Sequence, residues 1–212
     1  MRAKWLWSGL GMIASLALVI GAAAAFARPY TFHGSLIEPA VRAADFALSD
    51  QNGQTFRLSE QAGSVVLMFF GYTSCPDACP ATMAQFKRVR ADLGPQAERV
   101  RFVLVTVDPE RDTPERLREY LAAFDPSFTG VTGSLEDMEK VWSSYAVYRE
   151  KAPVEATPDS AGSHGHADQA YEIDHTVRVY AVDVKGNLRL TYTMDTETEA
   201  LEEDVKQLLK GR

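Results

Sequence analysis

Cys75 and Cys79 are the only cysteines of this 212-residue chain, and they stand four positions apart in Ser74-Cys75-Pro76-Asp77-Ala78-Cys79-Pro80. A thiolate is both a soft metal ligand and a sulfur nucleophile, so such a pair reads as a redox couple, a metal bite, or two small core residues. A loop this short adds little as a structural cross-link. Helical positions i and i+4 share a face with Cβ atoms roughly 5–6 Å apart. That spacing admits a shared ion or, with small adjustment, a disulfide. A helix N-terminus favours negative charge, so at least one thiol is expected to ionise more readily than a free cysteine. Pro76 and Pro80 stiffen the turn. The pair lies beside polar Ser74 and Asp77 rather than inside an apolar run, which argues against a purely structural role.

Two thiolates leave a metal site incomplete. The candidate third ligands are His33, His164, His166 and His175. His33 falls near the amino-terminal segment, and His164 and His166 fall in a polar loop. His175, in Asp174-His175-Thr176, precedes an apolar run and is expected to be held by sheet structure. Two sulfurs and one imidazole suit Cu(I) or zinc, and spacing alone does not choose between them.

The elements that must position these residues follow from the apolar pattern. Val65 to Phe70 and Val100 to Val107 are continuous apolar runs of strands buried on both faces. Met83, Phe86, Val89 and Leu93 recur at helical spacing and stop at Gly94-Pro95. Asp112 or Thr113 caps a helix bearing Leu117, Tyr120, Leu121 and Phe124. Ser134 opens another, with Asp137 as capping partner and Met138, Val141, Trp142 and Tyr145 along it. Asn52-Gly53 marks one hairpin and Lys185-Gly186-Asn187 a second, and Leu201, Val205, Leu208 and Leu209 mark a terminal helix. Residues 152–170 read as a loop. Strands alternating with helices and ending in an antiparallel hairpin predict an α/β, thioredoxin-like mixed sheet flanked by helices. Function in such sheets sits beyond the carboxyl ends of the parallel strands, where the cysteine loop and the Asp108 loop both leave.

Arg2 and Lys4 precede an uncharged run from Trp5 to Ala27, longer than the ~20 residues that span a bilayer. Residues 1–28 read as an amino-terminal transmembrane helix, with removal at Ala25-Phe26-Ala27 as the alternative. The positive flank stays cytoplasmic, which puts the rest of a single-pass inner-membrane protein in the periplasm or an equivalent extracytoplasmic space. Such a space permits thiol redox cycling. Residues 29–44 read as a linker and 45–212 as one domain. A net charge of −7 and the lack of a Lys/Arg cluster argue against nucleic acid as a partner.

Four stretches, FFGYTSCPDACP (69–80), VTVDPERDTP (105–114), LAAFDPSFTGVTGS (121–134) and DHTVRVYAVDVKG (174–186), together resemble the Sco/SenC family of copper chaperones. The resemblance spans roughly residues 40–195. It implies copper, as Cu(I) or Cu(II), held by Cys75, Cys79 and His175. It further implies delivery of copper to the CuA site of cytochrome c oxidase subunit II, or reduction of that site's cysteines. Another copper chaperone or a thiol reductant would be a second partner. Asp77 occupies a family-typical acidic position, tuning charge at the site, meeting the partner, or simply serving the turn. Asp108 and Asp112 fall in a family signature loop, where caps and turns are expected to account for them. The loop before His175 is longer than usual for the family; His164 and His166 in it are read as part of a solvated loop, with a second, weaker metal site or a shield over the first as the alternatives.

Delivery by ligand exchange, thiol–disulfide exchange through Cys75 and Cys79, and a peroxidase of the peroxiredoxin type are the three chemistries open to this chain. The last requires an activating arginine, and none lies close in sequence to Cys75.

Overall fold

Val65–Gly71 is buried at every position and forms strand β4 of a computed structural model that describes residues 30–153 and 171–211. Beside it runs β5, Val100–Thr106, parallel and in register from Val65↔Val100 to Gly71↔Thr106. Both strands are apolar throughout because each must be covered on two faces. β6, Thr129–Thr132, continues the parallel set next to β5. On the other flank β9, Val179–Val182, runs antiparallel to β4, and β10, Asn187–Tyr192, folds back on β9. β1, Ser35–Arg42, closes that side. The hairpin of β2, Ala47–Asp50, and β3, Thr55–Arg57, closes the opposite one. The eight strands lie in the order β1-β10-β9-β4-β5-β6-β2-β3.

Register decides which residues meet which layer. Phe69, Leu104 and Gly130 share one face, and Phe70, Val105 and Val131 share the other. Helix α1, Ala78–Leu93, lies over the first face through Phe86, whose ring stands 5.3 Å from Phe102. Helix α2, Pro114–Ala122, reaches the same face at Gly130, where an added Cβ would stand 2.8 Å from Leu121. The second face is covered by Tyr145, which ends helix α3, Leu135–Ser144, and packs 5.6 Å from Phe70. Helix α4, Thr198–Leu209, packs on α1. Thr113 caps α2 by accepting from the Arg116 N–H, and Ser134 caps α3 by accepting from the Asp137 N–H.

The expected thioredoxin-like mixed sheet with helices on both faces is therefore present, with three differences from the sequence reading. β1 occupies 35–42, inside the segment read as a linker. β6 separates α2 from α3. A separate two-stranded sheet, β7 (Arg149–Pro153) with β8 (Tyr171–His175), carries the last histidine.

All of these elements belong to one compact unit, His33–Arg212. Of the preceding unit only 30–32 are described, where the Tyr30 and Phe32 rings meet edge-on at 5.2 Å. Among the described residues no helix is long and apolar enough to cross a membrane. The segment read as an anchor, 1–28, lies outside them, as do His164 and His166.

Candidate metal centre

The end of β4 delivers the chain into the cysteine loop, and the start of α1 receives it. Pairing of Phe69 with Val179 brings the beginning of β9 to the same sheet edge. His175, four residues before Val179, is thus returned to the cysteines from far along the sequence. The side-chain ligand atoms of Cys75, Cys79 and His175 all lie within 4.8 Å of one another. Metal bonds of about 2.0 Å to nitrogen and 2.3 Å to sulfur let donors at such separations share one ion after small adjustment. The donor set thus fits a single soft or borderline metal.

Cys79 occupies the first turn of α1 and is fully buried, whereas Cys75 is half-exposed in the loop before the helix. The expectation that both sulfurs share a helical face is therefore corrected. A turn brings them together, beginning where the Cys75 N–H donates to the Tyr72 carbonyl at 3.3 Å. Gly71 is required for this approach, because a Cβ there would meet the Cys79 Sγ at 2.7 Å. Both cysteines are free thiols.

The two sulfurs titrate in opposite directions. A hydrogen bond from the Cys79 side chain, then one from His175 and the N–H groups of Asp77 and Cys79, hold the Cys75 thiol well below the ordinary range despite partial burial. Cys79 is pushed up, first by its bond to Cys75 and then by burial. The Tyr72 N–H, donating to Cys79 Sγ at 3.4 Å, works against that rise. One thiolate shared by two sulfurs, with the exposed partner carrying the charge, is the state this geometry favours.

His175 ends β8, and its ring stands edge-on to Tyr72 at 5.7 Å and to Phe69 at 6.3 Å. Its Nδ1 lies 3.1 Å from the Thr176 carbonyl. A carbonyl only accepts, so Nδ1 can donate there, and a metal bound at Nε2 would take the place of the hydrogen bond to Cys75.

Asp108 and Asp112, both fully buried, do more than the caps and turns expected of them. Asp112 accepts from the Thr73 hydroxyl at 2.6 Å, from the Thr73 N–H, and from the Thr106 hydroxyl at 2.6 Å. It thereby ties the cysteine loop to the end of β5. Burial pushes its carboxyl up, against those bonds. Asp77 is exposed at the N-cap of α1 but makes no side-chain cap bond. His33 is remote in topology, with its backbone N–H bonded to Asp204 of α4. Sequence reasoning missed Gly71, Tyr72 and Tyr171. A glycine closing an apolar strand two steps before a cysteine pair's turn was the available signal for the first.

Residues 35–210 match the family model described as SCO1/SenC. The chain belongs to this family. An SCO2-like protein from Rickettsia felis is 33% identical over 167 residues, covering 79% of this chain and 75% of its own length. The copper-bound ScoI of Bradyrhizobium japonicum superimposes with a TM-score of 0.68 at 34% identity, covering 80% of this chain and 99% of that one. The apo Sco1 protein of Thermus thermophilus gives 0.71 at 36% identity, covering 84% and 98%. These SCO1/SenC structures share the thioredoxin-like fold, and copper is the ion held in the first of them.

Proposed function

We propose that this protein carries one copper ion between Cys75, Cys79 and His175 and delivers it to the CuA site of cytochrome c oxidase subunit II. The convergence of three ligand atoms within 4.8 Å supports this reading above all else. Copper suits two thiolates and an imidazole, and it is the ion in the ScoI relative. Cys75 is the accessible sulfur, so ligand exchange with an incoming thiolate begins there and the buried Cys79 is released last. Uptake requires the sulfurs to lose protons, so affinity falls as pH falls. Residues 1–28 anchor the chain in the inner membrane with the sheet domain on the extracytoplasmic side.

A second reading is favoured by the unequal thiols. The Cys75 thiolate attacks one sulfur of a partner disulfide, forming a mixed disulfide and expelling the other partner sulfur as a thiolate. Cys79 then attacks Cys75, closing the intramolecular disulfide and releasing the partner as a dithiol. Two electrons pass from this pair to the partner, and a separate thiol reductant restores them.

The test mixes detergent-solubilised, copper-loaded full-length protein with the reduced, copper-free CuA domain of subunit II. Delivery predicts the growth of the dinuclear-site spectrum and its loss with His175→Ala. No spectrum from the wild type, together with unimpaired disulfide reduction by His175→Ala, would replace delivery with the reductase reading.

A further inference from the structure

His175 does not itself pair into the main sheet. It ends β8, which pairs only with β7 among the described residues. Where this hairpin sits therefore decides where the imidazole sits. The pairs Arg149↔His175 and Lys151↔Ile173 set the hairpin's register, and alternate residues along it share a face. That face is fastened to the β5–α2 loop. The Tyr171 hydroxyl donates to Asp108 Oδ1 at 2.7 Å, and Arg111 Nε donates to the other oxygen of the same carboxylate. Arg111 Nη1 donates to the Tyr171 carbonyl at 3.0 Å, and its guanidinium lies 3.7 Å from the Tyr171 ring centroid. Arg149 Nε donates to the Val107 carbonyl at 2.8 Å. Nearer the site, the Ile173 N–H donates to the Tyr72 hydroxyl at 3.3 Å, and the Tyr72 ring is the one against which His175 packs.

A fully buried carboxylate bridging an arginine and a tyrosine costs desolvation that a plain apolar contact would avoid. What the polar arrangement supplies is direction: three bonds and a stacked ring fix both the height and the rotation of β8. We propose that Asp108, Arg111 and Tyr171 form a latch that positions His175 against Cys75 and Cys79, so that release of copper is governed by the latch as well as by the ligands. This inference rests on the metal-site reading above. None of the three residues touches the ion; they are positioning residues that act through His175. Opening the latch withdraws the imidazole and leaves copper on two sulfurs, the arrangement from which an incoming thiolate displaces it most easily.

The latch is tested on full-length protein in detergent with Tyr171→Phe, which keeps the ring, and Asp108→Asn, which keeps the shape. The Ile173 amide reports docking directly, since its bond crosses from the hairpin to Tyr72. In the metal-free protein its hydrogen exchange is expected to accelerate roughly tenfold in either variant, the consequence of weakening one charge-assisted bond, while amides of β4 are unchanged. Leu208→Ala, in the α4 core, lowers the melting temperature without moving Ile173. Copper release to a chelator is expected to quicken by a similar factor in Tyr171→Phe, and not to quicken further when Tyr171→Phe is added to His175→Ala. Unchanged Ile173 exchange in both variants overturns the latch. So does an equal acceleration of release with and without His175, which would make the cluster a support for the fold alone. Copper held as tightly by His175→Ala as by the wild type overturns the metal-site reading instead, a result separable from the metal-free exchange data.

Discussion

The two thiols are chemically unequal although both sit in one turn. Cys75 is half-exposed and its thiol is held down by donors that converge on it, while Cys79 is buried and pushed up. A group with a depressed pKa keeps its charge as pH falls, until that lowered value is reached. Alkylation of the reduced protein by iodoacetamide should therefore modify Cys75 before Cys79. Its rate should change by less than about threefold between pH 8 and pH 6, whereas an ordinary thiol with a pKa near 8.5 slows by close to two orders of magnitude. Mass spectrometry of tryptic peptides checks the order, and a steep pH profile at Cys75 would contradict the charge assignment. The cysteine pair was legible from its neighbours because the chemistry is local. Its geometry was not, since Cys75 precedes the helix and is brought to Cys79 by a turn rather than by helical period.

At the level of elements, the site is a junction held by the residues between strands and helices. Asp112 joins the Thr73 backbone and hydroxyl to the Thr106 hydroxyl in a region closed to solvent. Asp112→Ala would leave those donors buried without an acceptor, at a cost of about 2–4 kcal/mol. For a domain of this size that lowers the melting temperature by roughly 5–15 °C, measurable by circular dichroism. A shift below about 2 °C would show that water replaces the carboxylate without loss. This role could not be read from the sequence because Asp112 lies next to the capping Thr113 and a cap explains an acidic residue there equally well. The long elements were readable for the opposite reason. β4 and β5 are buried on both faces and announce themselves as unbroken apolar runs. β1 is exposed along most of its length, so its place is set by backbone pairing with β10 and leaves almost no side-chain signal. β7 and β8 are joined through 154–170, and their pairing depends on contacts that cross this separation.

Over the whole molecule, one long-range fact gives a thioredoxin-like sheet its candidate metal centre: antiparallel return of β9 along β4 brings a histidine from near the carboxyl end to the cysteine turn. The sequence supplied the candidates, and family resemblance chose His175 among them. Periodicity alone could not, because residues a hundred positions apart meet only through strand order. The contact of Tyr171 with Asp108, made by β8 outside that order, likewise has no local pattern to anticipate it. X-ray absorption of the copper-loaded, reduced full-length protein examines this account most directly. One copper with two sulfur scatterers and one imidazole nitrogen is expected, the nitrogen shell vanishing in His175→Ala while both sulfurs remain. An all-sulfur first shell in the wild type, or an imidazole shell that survives His175→Ala, would contradict it.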